Sequence, residues 1–158
     1  MFSPERILVP TDFSECGGNC SMLAVKQAVG LAKQYKSKLV FMHVITEDLY
    51  SKPFFFLDEE KINILKVKVR EDAEEQMGKI IDEYAADIKN QCSVIIREGK
   101  PYTEILNEEK ESGVDLIVIS TRGISGLQGV FYGSVTEKVV RHATCSVLVV
   151  RKVINRES

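Results

Sequence analysis

Apolar positions in this chain fall into short, nearly unbroken runs, separated by longer stretches that repeat at helical spacing. Residues 6–10 (Arg-Ile-Leu-Val-Pro), 38–45 (Lys-Leu-Val-Phe-Met-His-Val-Ile), 115–120 (Asp-Leu-Ile-Val-Ile-Ser) and 146–151 (Ser-Val-Leu-Val-Val-Arg) are runs of this kind. A weaker one covers residues 92–97, Cys-Ser-Val-Ile-Ile-Arg. Continuous rather than alternating runs mark strands buried on both faces, so five strands covered by helices on either side are predicted. The intervening stretches supply those helices. Ala24, Ala28, Leu31, Ala32 and Tyr35 form one stripe, with Ser14 ahead of it as a candidate N-cap. Leu65, Val69, Ala73, Met77, Ile80, Tyr84 and Ile88 form a longer one backed by charged residues. Pro101 suits the first turn of a short helix containing Ile105 and Leu106. Ser134 opens the last helix, with Val135, Val139 and Val140 expected to face inward.

Strands alternating with helices give a parallel sheet with right-handed crossovers, hence a three-layer, doubly wound α/β fold. Residues 46–61, including Pro53 and the Phe54-Phe55-Phe56 cluster, show no periodicity and are long for a connection, as in a lid or an insertion. The aromatic cluster itself reads as core or interface.

Composition narrows the class. The 158 residues suit one domain, 1–158, with a substantial core. A net charge of −2 argues against charge-driven binding to nucleic acid or to an anionic membrane. No apolar run approaches the ~18 residues needed to cross a bilayer. The opening MFSPERILVP lacks the pattern of a signal peptide, so a cytoplasmic location is expected. The four cysteines, Cys16, Cys20, Cys92 and Cys145, are too scattered for a disulfide framework. Cys16 and Cys20 have neither the spacing nor the additional ligands of a zinc or redox site.

Ligands of open parallel sheets bind beyond the carboxyl ends of the strands, where strand order reverses. The richest strand end is the fourth. Residues 120–134 (Ser-Thr-Arg-Gly-Ile-Ser-Gly-Leu-Gln-Gly-Val-Phe-Tyr-Gly-Ser) hold four glycines and run into a helix. Glycine permits close backbone approach, and a helix N-terminus presents unpaired N–H groups to an anion. Ser134 could add a hydroxyl and Arg122 a cation. The same residues also suit a plain surface loop capped by serine. Asp12, just past the first strand, can bind ribose hydroxyls, an adenine amine or a metal ion, or can simply cap the helix that follows. His43 and His142 read as a core residue and a helix-end residue. No P-loop, early G-x-G-x-x-G or nucleophile–base pair is present, so binding is better supported than turnover.

These residues carry a resemblance along essentially the whole length. The opening Ile-Leu-Val-Pro-Thr-Asp-Phe-Ser, His43-Val44, Gly113-Val-Asp-Leu-Ile-Val-Ile, Gly133-Ser134-Val135 and Ser146-Val-Leu-Val-Val-Arg151 resemble the universal stress protein family. The family's ATP-binding members share G-x2-G-x9-G-[ST]. Here Gly123, nine residues (124–132), Gly133 and Ser134 match it, while Ser120 stands where the motif has its first glycine. If that position requires positive φ, serine costs about 1 kcal/mol or more, roughly tenfold in affinity. At negative φ its hydroxyl could instead donate to a phosphate.

The resemblance implies strand order 3-2-1-4-5. It places Pro10, Thr11, Asp12 and Val44 along the adenosine half of a pocket, and Ser120, Gly123, Gly133, Ser134 and Val135 around the phosphates. It further implies ATP (or AMP or ADP) with Mg²⁺ as ligand, and a homodimer joined through Val147, Leu148, Val149 and Val150. A nucleotide-dependent stress or signalling module follows from these expectations. The alternatives are a slow ATPase and a dimeric interaction protein that binds no nucleotide.

Overall fold

The computed structural model describes residues 1–14, 21–46, 58–121 and 134–151. In chain order the elements are β1 (Arg6–Pro10), α1 (Ser21–Tyr35), β2 (Lys38–Thr46), α2 (Glu59–Tyr84), a 3₁₀ helix (Ala86–Gln91), β3 (Cys92–Gly99), α3 (Pro101–Ser112), β4 (Leu116–Ser120), α4 (Ser134–His142) and β5 (Ser146–Val150). The strands form one parallel sheet ordered β3-β2-β1-β4-β5.

Alternation along the central strands divides the core into two layers. Ile7 and Val9 of β1, Leu39 and Phe41 of β2, and Leu116 and Val118 of β4 pack with Ala24, Ala28 and Ala32 of α1 and Met77 and Ile80 of α2. Leu8, Val40, Met42, Ile117 and Ile119 face the other way, against Ile105 of α3 and Val139 of α4. Both faces are therefore covered, which is why these strands read as continuous apolar runs. At its amino end the sheet is clipped by Asp115, whose carboxylate accepts from the Glu5 N–H at 2.8 Å and the Arg6 N–H at 3.2 Å.

Several boundaries differ from the sequence expectation. The stripe through Ile88 is not one helix: α2 ends at Tyr84, and Ile88 is buried in the 3₁₀ helix. The segment without periodicity is shorter than residues 46–61. Thr46 closes β2, and Asp58 caps α2, its Oδ1 accepting from the Lys61 N–H at 2.9 Å with Glu59 and Glu60 in the first turn. The Phe54–Phe56 cluster, Cys16 and Cys20 lie outside the described residues. On α4 Thr136 and Val139 are buried and Val135 packs partly buried against the same cluster, as expected, whereas Val140 is exposed, because it sits one residue round from the buried face. Tyr35 is also exposed at the end of α1.

β3 is the edge strand beside β2, and its partial exposure explains its weaker apolar pattern. Two devices fix it. Arg97 reaches α3, donating from Nη2 to Glu108 and Glu111, each at 2.5 Å, and lying 3.5 Å from Glu104. Glu108 is almost fully buried and also accepts from the Ser112 hydroxyl. On the α2 side, Arg70 Nη2 donates to the main-chain oxygen of Ile96 at 3.2 Å. A backbone acceptor of this edge is thereby occupied by a charged side chain, a common guard against edge-to-edge pairing. The opposite edge is β5, which among the described residues pairs only with β4.

Candidate functional site

The chain leaves β1 toward β2 on one side and returns through β4 on the other, so a crevice opens where their carboxyl ends diverge. A cavity of about 380 Å³ occupies it. Pro10, Thr11, Asp12 and Ser14 line it from β1 and the following turn; Met42, His43 and Val44 from β2; Ser120 from β4; and Ser134, Val135 and Thr136 from the first turn of α4. Val69, Pro101, Ile105 and Ile119 make it largely apolar on its remaining side.

The turn after β1 is closely tied. The Thr11 N–H donates to the Met42 carbonyl at 2.8 Å, extending the ladder to β2. The Thr11 and Ser21 hydroxyls are hydrogen bonded at 2.8 Å, and Thr11 Oγ1 accepts from the Phe13 N–H at 3.1 Å. Phe13 has φ of +62°, a left-handed conformation that costs a bulky residue about 1–2 kcal/mol. Asp12 is exposed, and its Oδ1 accepts from the Ser14 N–H at 3.0 Å and the Ser14 hydroxyl at 2.5 Å. The Ser14 Oγ in turn accepts from the Ser21 N–H at 3.3 Å. Asp12 therefore shapes the turn through Ser14, while its carboxylate also borders the cavity.

His43 stands beside this turn. Its Nδ1 lies 2.8 Å from the Thr11 carbonyl oxygen, and its ring stacks on Phe13 with centroids 4.2 Å apart. Burial lowers its pKa, opposed by the Thr11 carbonyl and by the Asp12 charge. On the far wall, the Thr136 hydroxyl donates to the Ser120 carbonyl at 2.9 Å, holding the start of α4 against the end of β4.

The universal stress protein family model matches residues 4–151. The chain belongs to the universal stress protein family. Universal stress protein YxiE of Bacillus subtilis (strain 168) is 38% identical over 157 residues, covering 92% of this chain and 98% of that protein. Universal stress protein MJ0577 of Methanocaldococcus jannaschii is 31% identical over 159 residues, covering 94% of this chain and 95% of its own. The solved structure of MJ0577 superposes with a TM-score of 0.76, covering 98% of this chain and 100% of that one. A universal stress protein in complex with cAMP has the same fold, with a TM-score of 0.65 at 20% identity over 95% of this chain and 98% of its own.

Within this family member the motif residues divide. Ser120, Ser134 and Val135 border the cavity together with Pro10, Thr11, Asp12 and Val44. Arg122, Gly123 and Gly133 lie outside the described residues. Ser120, the departure from the glycine motif, is the last residue of β4 and pairs with Val150. The described non-glycine residues with positive φ are Phe13 and Lys36, so serine at 120 carries no left-handed strain. Among the cavity residues that the sequence does not mark as site candidates, His43 and Thr136 are polar and tie the walls together. His43 was assigned to the core because a lone histidine in an apolar run gives no functional signal. Thr136 lies two residues past the motif, and its signal was a hydroxyl in the first turn of a helix whose start was already marked.

Proposed function

We propose that this universal stress protein binds an adenine nucleotide, ATP with Mg²⁺, in the cavity between the ends of β1 and β4, and acts as a nucleotide-dependent dimer in a cytoplasmic stress or signalling response. The observation that carries the reading is the convergence, in one cavity, of the Thr11–Asp12 turn with the first turn of α4. A helix start offers N–H groups and a partial positive charge to phosphate. In this reading Pro10, Thr11, Asp12 and Val44 receive the adenosine half. Ser120, Arg122, Gly123, Gly133, Ser134 and Val135 surround the phosphates. The cAMP complex illustrates that the fold can seat an adenine nucleotide.

Asp12 is the one carboxylate among the described lining residues, which fits Mg²⁺ held mainly through phosphate oxygens and water. Nucleotide released from purified, denatured protein, followed by calorimetry with ATP, ADP and AMP, tests the proposal. Finding neither bound nucleotide nor affinity would leave only an interaction protein. A time course of phosphate release from bound ATP separates a binding module from a slow ATPase.

For the dimer, β5 is apolar and each of Val147, Leu148, Val149 and Val150 is half-buried in the isolated chain. A second copy added to this edge would cover them. Sedimentation showing only monomer at micromolar concentration would overturn that part.

A further inference from the structure

Side chains of β2 alternate across the sheet, and His43 follows Leu39 and Phe41 toward the face of α1 and α2. It is only half-buried there, because it has reached the cavity wall. Its Nδ1 is 2.8 Å from the Thr11 carbonyl oxygen. A carbonyl only accepts, so Nδ1 carries the proton and donates. The same ring stacks on Phe13 at 4.2 Å with an interplanar angle of 28°. One side chain thus grips the turn at two points, by its edge at Thr11 and by its face at Phe13, whose φ of +62° needs support from outside the turn. Asp12 lies between those two points, and its own bonds run to Ser14 within the same turn.

We propose that His43 is a positioning residue for the nucleotide site, clamping the Thr11–Ser14 turn so that Asp12 meets the nucleoside half of the ligand. The inference rests on the adenine-nucleotide reading and deepens it. It predicts that the clamp acts on the nucleoside, which ATP and AMP share, and not on the outer phosphates.

The test uses the full chain with His43→Leu, which keeps an apolar side chain against Phe13 and removes the donor, and His43→Asn, whose amide can donate from near the Nδ1 position. Calorimetry with ATP and AMP should show both weakened by the same factor in His43→Leu, about tenfold, the scale expected for one lost positioning hydrogen bond. Exchange of the Phe13 and Ser14 amide protons should quicken in that variant. His43→Asn should bring affinity back to within about twofold of native. Should His43→Leu fail to fold, His43→Gln, whose amide reaches the Nε2 rather than the Nδ1 position, replaces it with the same expectation. Native-like binding by the donor-lacking variant, no rescue by asparagine, or a larger loss for ATP than for AMP would overturn the inference while leaving the nucleotide site standing. Native protein without affinity for either nucleotide would instead overturn the site and the inference together.

Discussion

The Thr136 hydroxyl donates to the main-chain oxygen of Ser120 at 2.9 Å, fixing the first turn of α4 over the end of β4. Thr136 is buried, so its loss cannot be made good by water. Thr136→Val keeps the shape and removes the donor. Stability should fall by about 1 kcal/mol in urea unfolding. Affinity for ATP should fall with it if the turn of α4 is the phosphate wall.

Ser134 separates binding from folding more cleanly. It is exposed at the start of α4, where a carboxylate favours the helix by about 0.3–1 kcal/mol. Ser134→Asp should therefore leave the thermal midpoint level or slightly raised. A phosphate at the same helix end would be repelled, and ATP affinity should drop on the order of a hundredfold or more. Unchanged affinity in calorimetry would place the phosphates elsewhere.

Arg97 and Glu108 make the most buried ion pair among the described residues, since Glu108 is almost fully buried. Arg97→Met strands that carboxylate and should cost about 3–5 kcal/mol in chemical denaturation. Adding Glu108→Leu should return part of the loss, because the uncompensated charge goes with it. A single variant as stable as native would show that the clasp of α3 on β3 is dispensable.

Glu109 and Cys145 predict a protected thiol. Glu109 is buried, and its Oε1 accepts from the Thr144 N–H, the Thr144 hydroxyl and the Cys145 N–H, each at 2.7 Å. Burial works against its charge, yet these bonds hold its pKa below the usual value. For Cys145, burial first and the Glu109 charge second push the thiol up to about 12. Alkylation of Cys145 near pH 8.5, followed by peptide mass spectrometry, should run on the order of a thousandfold slower than for a thiol at the ordinary value. Glu109→Gln should recover only part of that rate, since burial remains.

His43 sets a pH dependence. Its pKa is lowered in the folded state, chiefly by burial, so the unfolded chain binds the proton more readily. Stability should then be complete above the ordinary histidine pKa of about 6.5 and decline as pH falls from there toward the depressed folded value. Urea midpoints measured from neutral to mildly acidic pH should show that slope, and His43→Asn should flatten it. A slope of the opposite sign would mean that the folded state prefers the imidazolium.

Legibility followed burial. The strands around Leu8, Val40 and Ile117 were readable because helices on both faces demand unbroken apolar runs. Ile88 misled, because a 3₁₀ turn after Tyr84 can present an apolar residue at nearly the spacing of another helical turn. Asp12 and Ser134 could be read as site candidates because each marks the junction of a strand end or helix start with a loop. The meaning of Ser120 could not be read. Its backbone conformation depends on pairing with Val150, and strand pairing is a property of the assembled sheet. His43 was hidden for a related reason: its role comes from Thr11 and Phe13, partners that only the β1–β2 register brings alongside.

Arg70 bears on how large an assembly can become. A sheet ready to accept strands on both sides would polymerise, each new copy offering a fresh template to the next. Here the β3 side has a guanidinium on the Ile96 carbonyl, which hinders a further strand from adding there. Two copies meeting through β5, as proposed, would each spend that edge on the other and present the hindered β3 side to solvent. Arg70 would then favour two as the final number.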